Sequence, residues 1–286
     1  MANTIALRKQ YSTLLDEVYK LASLTAVLDG PNDLVKEGAN ANEILIPKMS
    51  MQGLADYSRQ TGYVDGDVTL EYETKKCSYD RGRMFTIDAM DNIESAGIAF
   101  GRLSGEFLRT KVVPELDAYR LASYAQITGV TTVSANLADG KAALAALRAA
   151  RGKIENAEAN LATCYLFINP TVFGLIEDLD TTASKKAIEG FASVIKVPEG
   201  RFYNKIDLAG TGAGGYAKAT GGLGLNFLIV DKQASIQYQK HTVSKIIDPD
   251  ANQDADAWKF GYRTVGIAEC LDNKKDGIYA HTVAGE

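Results

Sequence analysis

The chain has 286 residues, 46% hydrophobic and 23% charged, enough apolar material to bury a sizeable core in one large domain or two interleaved ones and too much for a disordered chain. Its 36 acidic and 31 basic residues leave a formal net charge of -5 with no long block of one sign, which argues against a nucleic-acid-binding surface of clustered Lys and Arg. No N-terminal run reads as a cleaved signal and no apolar stretch is long enough to span a bilayer, so folding in the cytosol is expected. Cys77, Cys164 and Cys270 are odd in number and far apart, which predicts free thiols, with Cys164 in a buried strand.

In chain order, residues 4–28 place Leu7, Tyr11, Leu14, Leu15, Val18, Leu21, Leu24 and Leu28 at steps of three and four. That is one apolar stripe of an amphipathic helical arm, packed either on its own core or on a neighbouring subunit. Gly30 and Pro31 break the pattern. Residues 42–76 read as an extended, strongly polar hairpin: 44–47 (ILIP) is strand-like, and Val68, Leu70 and Tyr72 alternate with Thr69, Glu71 and Glu73. An isolated two-stranded ribbon is only marginally stable in water. It gains stability by lying across something else, and here another copy of the same chain is the expected support.

A strand over 83–87 leads into a helix starting at Asp88 or Asp91, whose carboxylates suit an N-cap. Ile93, Ala96, Phe100, Leu103, Phe107, Val112, Leu116, Tyr119 and Ala122 continue one apolar face to about residue 124, a rod of roughly 50 Å. Pro114 predicts a bend near Val113. Glu106, Arg109, Glu115 and Arg120 read as solvated ion pairs on an ordinary charged face. Beyond it come a helix at 141–160, a buried strand at 164–168, and a helix at 171–178 started by Pro170. Strands follow at 195–198 and 226–230, then strand pairs through 233–247 and 258–271, an α+β layout without tandem repeats.

Candidate chemical motifs fail on context. The sequence GTGAGG at 210–215, with Asp231 beyond it, matches a dinucleotide fingerprint, but the following YAKATGGLG is too glycine-rich to open the required helix; a flexible surface loop is expected. Asp248, Asp250, Asn252, Asp254 and Asp256 resemble the start of a calcium loop, yet Gln253 stands where glycine is needed and Lys259 where a glutamate should close the shell. His241 and His281 have no neighbour at zinc-ligand spacing and read as surface or sheet-edge residues. No nucleophile elbow, phosphate loop or Cys-x-x-Cys pair occurs, so no catalytic residue, cofactor site or metal site is assigned.

The order of arm, extended hairpin, RGRMFTID at 81–88, long helix with VVPELDAYR at 112–120 and α/β region resembles tailed-bacteriophage major capsid proteins of the HK97-like fold. LNFLIVD at 225–231, WKFGYR at 258–263 and KDGIYA at 275–280 are similar to the closing strands of such coat proteins. The resemblance implies an N-terminal arm at 1–41, an extended β-hairpin loop at 42–83, a peripheral domain with the spine helix at 84–130 and 232–286, and an axial α/β domain at 131–231. It further implies a non-enzymatic homo-oligomer of hexamers and pentamers that encloses double-stranded DNA without sequence-specific binding, with scaffold and portal proteins as partners and no membrane. Localisation in the virion, after assembly in the host bacterial cytoplasm, follows. The absence of a long N-terminal scaffolding region implies a separate scaffold or an already mature chain. Arg59, Lys75, Lys76, Arg81 and Arg83, on or beside a segment that cannot bury itself, are the expected subunit contacts, with acidic partners on an adjacent copy. Two other readings stand beside this one: an encapsulin-type nanocompartment shell, and a dinucleotide-binding enzyme built around residues 210–215.

Overall fold

A computed structural model describes residues 23–30, 36–37, 43–60, 62–90 and 98–285. Most of the helical arm expected at 4–28 lies outside them. Its described end is a bend followed by a single 3-10 turn, Ala26–Leu28, with Leu28 buried.

Strands β1 (Lys36–Glu37), β2 (Glu43–Met51) and β3 (Val68–Lys76) form an antiparallel sheet in that order. Ile44 and Ile46, at the base of the ribbon, are buried against Ile236 and Ile267. Strand β4 (Tyr79–Asp88) follows, and the Asp88 carboxylate accepts the Met90 amide at 2.9 Å as residues 89–90 turn helical. Asp88 therefore fills the capping role its position predicts.

The spine runs as α1 (Ile98–Phe107), a π turn (Leu108–Val112) and α2 (Val113–Gln126). Pro114 accounts for the interruption. It has no N–H to donate and its ring collides with the carbonyl four residues back, and the widened turn, in which Val113 bonds back to Leu108, relieves that conflict.

Next come β5 (Thr131–Ser134), α3 (Gly140–Asn156), β6 (Cys164–Ile168), α4 (Pro170–Glu177), α5 (Thr182–Ile188) and β7 (Ser193–Lys196). Asp139 caps α3 through the Ala142 amide, and Asn169 caps α4 through Thr171. The chain closes with β8 (Ile206–Leu208), β9 (Tyr216–Lys218), β10 (Leu225–Asp231), β11 (Ser235–Ile247), β12 (Ala257–Cys270) and β13 (Ile278–Thr282).

A five-stranded sheet runs β5-β13-β10-β6-β7, a three-stranded sheet β11-β12-β4, and β8-β9 stand as a pair. All seven residues of β10 are buried, because helices cover both faces of its sheet. Leu228 and Val230 join Leu121 and Tyr124 of α2, while Phe227 and Ile229 join Leu147 and Ile154 of α3 and Ile176 of α4. Period-two alternation thus divides one strand between two cores.

Three expectations need correction. The last strand does not return to the sheet of β11 and β12: residues 278–282 lie between β10 and β5, parallel to β5, so the expected grouping of 232–286 with the spine fails at its end. All five residues of β13 are buried, as a central strand between two helical layers requires. His281, read as a surface or edge residue, is one of them, 1% exposed; His241 does fall in β11, at the edge of its sheet. Glu115 and Arg120, read as solvated, are 8% and 2% exposed because α2 is packed nearly all round, whereas Glu106 and Arg109 do form an exposed pair at 2.7 Å.

Candidate assembly surface

Side chains of the β2–β3 ribbon alternate between two faces. Register places Ile44, Ile46, Lys48 and Ser50 opposite Lys75, Glu73, Glu71 and Thr69 on the first. This face rests on the body at its base, and Lys48 reaches Asp272 at 3.5 Å. The second face pairs Met49 with Leu70 and Met51 with Val68, with Tyr72 beside them, and it is open to solvent: Met51 and Val68 are 67% and 68% exposed. At the tip Leu54, Tyr57, Tyr63 and Val64 are also exposed, with the Tyr57 and Tyr63 rings 4.9 Å apart.

The ribbon expected to be strongly polar therefore carries an exposed apolar stretch from Tyr72 to Val68 on one face, about 13 Å of strand, with further exposed apolar side chains at its tip. Burying a side chain such as Leu or Met is worth about 1.5–3 kcal/mol, so the face is a strong site for protein contact.

The five basic residues proposed as contacts divide in two. Arg59, at the ribbon tip, and Lys76, at the end of β3, are exposed and make no ion pair among the described residues. Lys75 bonds Glu73 at 3.0 Å, which holds its ammonium above the usual lysine range. Arg81 does have an acidic partner, but in its own chain: Nε donates to Glu115 Oε1 at 2.7 Å and Nη2 to Oε2 at 3.3 Å. The hydroxyl of Tyr79 donates to the same carboxylate at 3.1 Å. Arg83 Nη2 donates to the Gly212 carbonyl at 2.6 Å. Between β4, the spine and residues 209–215 lies a cleft of about 720 Å³.

A second constellation escaped sequence reading. Asp117, fully buried on α2, accepts hydrogen bonds from Ser23 Oγ and Thr25 Oγ1 at 2.7 Å each, and from the amides of Leu24 and Thr25 at 3.0 and 3.2 Å. Arg120 donates to Thr25 Oγ1 at 3.1 Å and pairs with Asp29, while Gln237 Nε2 donates to the Thr25 carbonyl at 2.8 Å. Residues 23–29 are thus anchored on the spine by a buried polar socket. The clue in the sequence is an acid and an arginine three apart on a helix rich in apolar residues, but nothing there names their partners.

The other motifs resolve as follows. The residues after 210–215 form β9 where a dinucleotide site needs a helix, and those glycines make a hairpin loop. Lys259 Nζ lies 2.6 Å from Asp254 in the acidic segment, and no group of three or more His, Cys, Asp or Glu among the described residues is placed to hold a metal. No disulfide forms among the described residues, and burial pushes Cys164 and Cys270 up to about 12, which leaves them unreactive. No helix among the described residues is long and apolar enough to cross a membrane.

A helix-covered sheet, a long spine packed on a second sheet and a projecting ribbon are the parts of the HK97-like capsid fold. Superposition on solved structures agrees. The capsid of cyanophage P-SCSP1u matches with a TM-score of 0.59 at 13% identity, over 88% of this chain and 86% of that one. Gordonia phage Cozz matches at 0.57 and 13% identity over 92% and 87%, and the virus-like particle from Pyrococcus furiosus at 0.57 and 11% identity over 98% and 100%. At such identities the likeness is one of fold. Neither a family model nor a curated protein matches the sequence.

Proposed function

We propose that the chain is the major capsid protein of a tailed phage, a structural coat protein whose copies form the hexamers and pentamers of an icosahedral head around double-stranded DNA. The observation that carries this reading is the ribbon: an extended arm with an apolar face and tip open to solvent, on a body with the fold of capsid structures. A second copy of the same chain is the natural cover for such an arm, since repeated contact supplies area without enlarging the core. Arg59 and Lys76 then meet carboxylates of the neighbour as minor contributors, each exposed pair being worth about 0–1 kcal/mol. Scaffold and portal proteins, assembly in the bacterial cytoplasm and residence in the virion belong to the same proposal, as does a body that catalyses no reaction.

Negative-stain electron microscopy and elution size of the purified chain, alone and co-expressed with its scaffold, test the reading. Closed shells, tubes or rings are expected, and nuclease-protected DNA inside particles from infected cells. A monomer or dimer at every salt and protein concentration, with scaffold present, overturns it. Shells that hold a protein cargo and no DNA replace it with a nanocompartment.

A further inference from the structure

The hairpin of β8 and β9 is paired into none of the three larger sheets, and a ribbon of two three-residue strands has little stability of its own. Its loop, residues 209–215, is held from outside. At the neck, where the Ala209 amide bonds the Gly215 carbonyl at 2.9 Å, Arg81 donates from Nη1 to Ala209 O at 2.8 Å and from Nη2 to Gly215 O at 3.3 Å. The same guanidinium grips Glu115 of the spine. At the tip Arg83 donates to Gly212 O at 2.6 Å and Ala213 O at 3.4 Å. Four carbonyls of one loop thus converge on two arginines of one strand.

We propose that Arg81 and Arg83 are a latch that closes the glycine-rich loop onto the spine, and that releasing it lets the β8–β9 hairpin swing away and open the cleft beneath. Three features make this a two-state device. The fastening is charge-assisted hydrogen bonding to backbone, which is directional and short in range. Gly212, Gly214 and Gly215 have φ of +68°, +69° and +86°, a region in which only glycine moves without strain, so the loop can change shape at low cost. At the neck Leu208 packs on Tyr79, Val113 and Leu116, and the Tyr216 hydroxyl donates to the Gly200 carbonyl at 2.8 Å; at the tip, among the described residues, the hydrogen bonds from outside the loop come from Arg83. The latch joins β4 and the spine to the β8–β9 hairpin, and so fixes their mutual setting.

Limited elastase digestion tests the latch on the full chain, since Ala209 and Ala213 offer small-residue cleavage sites. Arg83→Ala leaves the Arg81–Glu115 pair in place. Cleavage within 209–215 is expected to accelerate about tenfold, the order for losing a charge-assisted hydrogen bond, with an unchanged melting temperature and Arg83→Lys intermediate. Raised salt should accelerate the same cut in the unaltered chain. Unchanged cleavage of the loop in Arg83→Ala overturns the proposal, as does cleavage that rises throughout the chain with a falling melting temperature. The readout does not depend on assembly, so the latch and the coat reading fail separately.

Discussion

Asp117 and Glu106 are both carboxylates on the spine, and their surroundings give them opposite weight. Asp117 is wholly buried and holds four donors from residues 23–25; Glu106 pairs with Arg109 at the surface, with its side chain 56% exposed. Replacing Asp117 by Ala strands those donors and the facing Arg201, and is expected to cost about 3–5 kcal/mol in urea unfolding, whereas Glu106→Ala stays within about 0.5 kcal/mol. His281 contributes through pH. Burial lowers its pKa from 6.5, so the folded chain binds the proton less readily than the unfolded one. The stability this represents is present above 6.5 and is lost as pH falls below it. Melting measured at about pH 7.5 and about pH 5 should show a drop that His281→Gln reduces. An undiminished drop in the variant would assign the effect to other groups. Residue type alone does not separate these cases, because Glu115 and Arg120 look like Glu106 and Arg109 until packing puts the first two inside, each on a different partner.

Among the elements, α3 offers an internal comparison. Gly140 opens the helix against α4, where an added Cβ would run into the Leu175 carbonyl oxygen, while at Gly152 a Cβ meets nothing within 4 Å. Gly140→Ala should therefore lower the melting temperature, and Gly152→Ala raise stability by about 0.5–1 kcal/mol through helix propensity. Equal effects at the two sites would show that the close approach of α3 and α4 is not needed. The existence of α3, β6, α4, β10, β11 and β12 was legible because each carries a local signal: a 3.6-residue stripe, an apolar run, a proline at the first turn. Strand β13 was read as a closing strand and grouped with the spine, whereas it pairs with β10 and β5. Its neighbours β5 and β10 are more than forty residues away in sequence, and pairing over such distances leaves no periodicity to read.

For the molecule as a whole, the ribbon separates folding from association. Leu70→Glu, on the open face of β3, should change the stability of the isolated chain by less than about 0.5 kcal/mol and abolish shells or rings in the microscope. Normal particles from this variant would remove the apolar face from the contact. Local order in the sequence determined the alternation of elements, the caps, the rigid proline and the presence of an extended hairpin, since helix and strand periods are properties of neighbours along the chain. Short motifs in that order were enough to point to the capsid fold. Tertiary structure alone decided which charges are buried, that Arg81 and Arg83 turn inward onto a loop some 130 residues away, and that the ribbon's apolar face is left in water. Burial, pairing partner and exposure are relations between segments distant in sequence, and they exist only once the chain has closed on itself.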